Sequence, residues 1–309
     1  MRFLHASVCL LTLTAHSLFP QNKKGDPAQI GNRDVGKGVN IYSIEREMAL
    51  GKQLAQEVQR QAKVVDDPLI SEYINRVGQS LVRNSDAKVP FTFQLIEGDS
   101  PNAFALPGGY IFVYTALIKI ADEEDELAAA LAHEIAHVAA RHMTRQATKS
   151  EIVNMATIPV GVILGGGLAG IAARQGANLG VPAAFLHFTR KDEAEADFLG
   201  LQYLYAAGYD PNGAISIFEK LESLQKSKPG TVARIFSTHP MDADRIQKAE
   251  SEINRILPAR DEYVINTSEY RGMRERLITR DMRKRSISTT QGREDDPDRP
   301  TIRRRDLIE

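Results

Sequence analysis

His133-Glu134-Ile135-Ala136-His137 follows directly on Asp125-Glu126-Leu127-Ala128-Ala129-Ala130-Leu131-Ala132, and how this stretch is read decides the fold. Its alanine-rich half strongly favours helix. On a helix, residues four apart share one face, so the two imidazoles can reach a single ion. Glu134, next to the first imidazole, is placed to take a proton from a metal-activated water, which is the geometry a zinc hydrolase needs. The competing reading is a surface helix that carries two histidines by coincidence, so a second segment has to decide.

A two-histidine site needs a third protein ligand and leaves one position for water. The three-histidine version asks for glycine and histidine at positions that Ala140 and Met143 occupy here, which excludes it. His142 would lie about 140° around a continuous helix from His137 and point elsewhere, as a surface residue or a neighbour of a ligand. Downstream, Thr189 with Asp192 reads as a helix start and Gly208 as its end. Within that helix Glu193 and Asp197 share one face, while Glu195 lies about 200° from Glu193. Glu193 would close a metal site, and Asp197 would accept the outer N–H of a ligand histidine. Taken alone, the same residues are a solvated acidic face.

With Pro101-Asn102-Ala103-Phe104-Ala105-Leu106-Pro107-Gly108-Gly109, the segment Phe188 to Gly200, and Ser237-Thr238-His239-Pro240, these motifs cover about residues 40 to 275. The pattern resembles the gluzincin family that includes the CAAX prenyl proteases and HtpX, most closely its periplasmic BepA-like branch. The resemblance implies zinc held by His133, His137 and Glu193, with Glu134 as general acid/base. It implies that Asn102 lies on an edge strand beside the cleft, with Ala103 and Phe104 continuing the substrate-binding stretch. It also implies that His239 and Arg245 face the metal from a later loop and stabilise the oxyanion. In the BepA-like branch the histidine can instead cap the zinc and hold the enzyme latent. Read without the resemblance, His239 is a loop histidine before a proline.

In that scheme a zinc-activated water attacks the scissile carbonyl, and Glu134 carries its proton to the leaving amine. His239 or Arg245 would hold the oxyanion beside zinc. Gly108 to Tyr114 reads as a strand, and an exposed edge in the 102–113 region would bind an extended peptide through its backbone. Unfolded or misfolded proteins are the substrates that this mode suits.

The fold class expected is α+β, mainly helical, with a small sheet over the metal-binding helix. Helices are predicted over 43–64, from Asp67-Pro68 to Arg83, and over 268–280, and Phe91 to Ile96 alternates as a strand. The 309 residues carry 42% apolar content and a net charge of −1, which argues against a nucleic-acid binder working through overall basicity. The single cysteine, Cys9, excludes an internal disulfide and cysteine-based metal sites. Arg2, the apolar run from Val8 to Phe19 and Ala15-His16-Ser17 read as an export signal, and Val8 is too large for lipidation at Cys9. The organisation expected is signal peptide 1–17, linker 18–40, metallopeptidase domain 41–280 and charged, disordered tail 281–309. A periplasmic protein follows, without room for the tetratricopeptide repeats that members of this branch often carry.

Residues 152–173 carry no charge. They are long enough to span a bilayer, but Pro159 and several glycines oppose that, and both flanks must return to one site. An apolar loop that covers the cleft or touches a membrane surface is the preferred reading. The glycines at 165–167 and 170 match a dinucleotide fingerprint, discounted because no βαβ unit surrounds them. Two functions stand: an envelope zinc endopeptidase, or a latent, chaperone-like metal binder with His239 on the zinc.

Overall fold

A helix buried around nearly its whole circumference can only be a central one. In the computed structural model, which describes residues 25–157, 188–227, 238–239 and 244–294, the HEIAH segment lies on such a helix. The signal peptide, residues 158–173 of the uncharged stretch, and residues 295–309 of the tail lie outside the described residues.

Two α-helices and a strand lead up to the sheet's hairpin. α1 (Ile44–Gln61) starts at Ser43, whose hydroxyl accepts from the Arg46 N–H, and α2 (Pro68–Arg83) starts at Asp67 with proline in its first turn. β1 (Thr92–Ile96) follows, then β2 (Ala103–Leu106) and β3 (Tyr110–Tyr114). The sheet order is β1-β3-β2. β1 runs parallel to β3 with Thr92 opposite Tyr110, and β2 runs antiparallel with Ala103 opposite Val113. Gly108 and Gly109 turn the hairpin at φ 74° and 92°, where a side chain would be strained. The strand reading of Phe91 to Ile96 and of Gly108 to Tyr114 therefore holds to within two residues, and β2 forms the free edge.

α3 (Thr115–Ile120) leads into α4 (Glu124–Ala139), the central helix. Leu127, Leu131 and Ile135 are fully buried along it, as are Ala128, Ala132 and Ala136. The alanines let neighbours approach closely, which is a second use of residues that also favour helix. α5 (His142–Thr157) follows a break in which Arg141 adopts φ 56°.

α6 (Arg190–Ala206) and α7 (Asn212–Ser227) pack along α4. α6 opens with a capping box between Thr189 and Asp192, and Gly208 follows its end at φ 92°. A Cβ at Gly200 would stand 3.2 Å from the His133 backbone nitrogen, so glycine sets how near α6 comes to α4. α8 (Arg245–Ile256) and α9 (Ser268–Glu294) complete the fold, which is α+β and mainly helical with the small sheet over α4.

Two boundaries differ from expectation. The sequence reading ends the last helix at 280 and starts a disordered tail at 281, yet α9 continues to Glu294. Lys119 pairs with Asp281, and Arg280 and Lys284 pair with Glu97, so charges that read as a tail are partners of the domain surface. Residues 25–40, read as linker, include the buried Arg33 and Val35. Arg33 Nε donates to Asp86 at 3.0 Å and Nη1 to Gln202 at 2.6 Å, which pins this segment to the loop after α2 and to α6.

Candidate metal centre

Helical spacing puts His133 and His137 on one face of α4, and α6 brings Glu193 across from them. Their inward atoms converge: His133 Nε2 and His137 Nε2 are 3.0 Å apart, and His137 Nε2 is 3.3 Å from Glu193 Oε1. His239 joins them, its Nδ1 3.3 Å from His133 Nε2 and 3.1 Å from Glu193 Oε1. A tetrahedral zinc with bonds of about 2.0–2.1 Å has ligand atoms about 3.3 Å apart. Three imidazole nitrogens and one carboxylate oxygen at that spacing therefore fit such an ion.

The atoms facing away from this centre are held in turn. His133 Nδ1 lies 3.0 Å from Asp197 Oδ1. Arg245 donates to Asp197 from Nε at 2.8 Å and from Nη2 at 2.6 Å, and its Nη1 lies 3.2 Å from Glu193 Oε2. The resemblance has Arg245 facing the oxyanion; here its guanidinium grips the two carboxylates and lies over the Phe218 ring. Phe188 stacks on the His137 ring at 3.8 Å between centroids. His142, expected to point elsewhere, is fully buried, with its Nδ1 3.0 Å from His137 Nδ1. The break at Arg141 is the reason, because the angle predicted for His142 assumes a continuous helix.

Glu134 is buried beside the centre. Its Oε2 accepts from the Ala105 N–H at 2.9 Å, and its Oε1 lies 3.3 Å from His239 Nε2. Burial pushes the Glu134 carboxyl above its ordinary value and lowers His137 well below its own. Burial also opposes ionisation of Glu193, yet His239, His133 and His137 hold its carboxyl well below the usual range.

The edge strand lies against this group. Asn102 O accepts from the Tyr114 N–H, so in antiparallel alternation the backbones of 102, 104 and 106 face β3 and those of Ala103 and Ala105 face outward. Phe104 stacks on Phe112 at 5.3 Å, which places this candidate substrate contact within the ring packing of the sheet. Asn102 is buried, and its Oδ1 has no hydrogen-bond partner among the described residues. An apolar pocket bounded by Ala103, Leu117, Ala130, Ile217, Phe218 and Leu221 opens beside His133 and Glu134. Ala105, Phe188 and the contact between His142 and His137 are not found from the sequence: the first acts through its backbone, and the others depend on how elements meet.

The sequence model of peptidase family M48 matches residues 68–253. A beta-barrel assembly-enhancing protease of Yersinia pestis is 35% identical over 242 residues, covering 75% of this chain and 49% of that protein. Its counterpart in Escherichia coli K12 is 34% identical, over 74% of this chain and 47% of that protein. The metalloprotease LoiP of Escherichia coli K12 is 30% identical over 204 residues, 64% of this chain and 77% of that protein. The chain thus spans about half the length of the two assembly-enhancing proteases.

Proposed function

This chain belongs to peptidase family M48, a family of metallopeptidases, and from that premise we propose that it is a zinc-dependent endopeptidase of the bacterial envelope, latent in the conformation described. The observation that carries the reading is the convergence of His133, His137, Glu193 and His239, whose ligand atoms lie within 4.8 Å of one another with four contacts at 3.0–3.3 Å, near the edge of a zinc tetrahedron. His133, His137 and Glu193 are the ligands, and His239 Nδ1 stands on the corner that a water needs during catalysis. Bound there, zinc supplies Lewis-acid activation of a water and of the scissile carbonyl.

The chain's own residues do the rest. Glu134, oriented by the Ala105 N–H, takes the proton from the attacking water and delivers it to the leaving amine. Substrate pairs in extended form with the outward backbone of Ala103, and the Oδ1 of Asn102 accepts a substrate N–H. An apolar substrate side chain beside the scissile bond fits the pocket under Phe218 and Leu221. Arg245 holds Asp197 and Glu193 in place, a positioning role in place of the oxyanion role expected from the sequence. Backbone recognition suits unfolded or misassembled envelope proteins, in keeping with the names of the assembly-enhancing relatives. Export through residues 1–17 and peripheral membrane contact through 152–173 belong to the same proposal. Among the described residues no helix is long and apolar enough to cross a membrane.

The alternative, a chaperone-like metal binder with a permanently capped zinc, shares the same geometry and is separated from latency by one variant. His239→Ala frees the fourth corner while leaving His133, His137 and Glu193. Latency predicts that zinc stays bound and that cleavage of casein rises above wild type. A fall in cleavage would assign His239 to the oxyanion, and no cleavage by either protein would favour the binder.

A further inference from the structure

We propose that His142 is a positioning residue of the metal centre, acting with Glu195 as a relay that orients His137 and fixes which of its nitrogens faces the metal. The proposal rests on the reading of His137 as a ligand.

The relay is a chain of short contacts in a closed setting. His142 is fully buried, with Nδ1 3.0 Å from His137 Nδ1 and Nε2 3.2 Å from Glu195 Oε2. Arg145 Nη1 lies 3.5 Å from the same Glu195 oxygen. Two ring nitrogens in contact share one proton, which decides the tautomers. When His137 gives its Nε2 lone pair to a metal, its Nδ1 carries the hydrogen and donates it to His142 Nδ1. The remaining hydrogen of His142 then sits on Nε2 and is donated to Glu195. One arrangement satisfies every nitrogen, and it leaves His137 Nε2 bare toward the centre.

The backbone is bent to make this contact. Arg141 adopts φ 56°, which a non-glycine residue rarely does. Its Nε donates to Glu47 at 2.7 Å and its Nη2 to the Tyr42 carbonyl at 2.6 Å, and Thr144 Oγ1 donates to the same Glu47 oxygen at 3.1 Å. These anchors from α1 and the segment before it hold the elbow between α4 and α5. The elbow returns His142 to a ligand that a straight helix would have turned it away from. The two ligand histidines of α4 thus have parallel supports. His133 contacts Asp197 directly, with Arg245 behind that carboxylate, and His137 reaches Glu195 and Arg145 through one more imidazole.

The test is the zinc Kd of the full chain, measured by competition with a chromophoric chelator, together with the visible absorption of the cobalt-substituted protein. His142→Leu should weaken zinc roughly 10–100-fold and shift the cobalt bands, the range seen when a partner of a ligand is lost. His142→Asn, whose carbonyl oxygen stands near the place of Nδ1, should recover most of the affinity and the spectrum. Glu195→Ala, at a partly exposed side chain, should weaken zinc less than His142→Leu and leave the melting temperature of the metal-free protein unchanged. Zinc affinity indistinguishable from wild type in His142→Leu or Glu195→Ala would overturn the relay, as would His142→Asn behaving like His142→Leu. A wild-type chain that binds no zinc would instead remove the metal reading itself, and the relay with it.

Discussion

Asp125 is buried in the first turn of α4, where burial, with Glu126, Asp210 and Glu123 nearby, pushes its carboxyl from 3.8 up to about 7. Because the folded value lies above the unfolded one, the folded state binds the proton more tightly. This group therefore costs no stability below pH 3.8 and an increasing amount as pH rises toward 7. Asp125→Asn should raise the melting temperature at pH 8 and leave it nearly unchanged at about pH 4. A pH-independent shift would contradict this assignment. At this scale the sequence is most legible where one helix carries the information. Spacing alone relates His133 to His137 and Glu193 to Asp197, and the structure brings all four side chains to one centre. Arg245 and Phe104 show the limit: the resemblance implies oxyanion and substrate roles for them, but the neighbours they meet come from distant parts of the chain.

The turn between β2 and β3 is held by α1, and Gly51 is where they touch. A Cβ at Gly51 would fall 1.7 Å from the Pro107 carbonyl oxygen, a backbone atom that cannot swing aside. Gly51→Ala should therefore cost about 1–3 kcal/mol or more by forcing α1 from the hairpin, read as a lower denaturation midpoint. Because β2 also carries the Ala105 N–H that orients Glu134, activity should fall with stability. A Gly51→Ala protein as stable as wild type would show that α1 does not fix the hairpin. Local signals mark most element boundaries well: Asp67-Pro68 opens α2, and Thr189 with Asp192 opens α6. The break at Arg141 carries no such signal, since Glu47 and Tyr42 hold it from far along the chain. The length of α9 is illegible for the same reason, its charges being matched by Glu97 and Lys119 in other elements.

At the scale of the whole molecule, both ends of the described chain are pinned to the domain around α4. Arg33 anchors the N-terminal segment to Asp86, and α9 packs on α2 and α3 with Tyr270 and Leu277 fully buried. The α+β class is readable from the sequence because the HEIAH stretch is rich in helix-forming alanine and Phe91 to Ile96 alternates as a strand. That closed frame holds His133, His137 and Glu193 rigidly, while His239 comes from the stretch between α7 and α8. The role proposed for Glu134 in this frame is that of proton carrier in a zinc peptidase. It is tested most directly by Glu134→Gln, made both in the wild-type chain and in His239→Ala, with zinc content and casein cleavage measured on the same preparations. One zinc per chain is expected in every protein, with a loss of cleavage of about 10²–10⁴-fold or more whenever Glu134 is replaced. Cleavage that persists at the parent rate in Glu134→Gln with zinc still bound would contradict it.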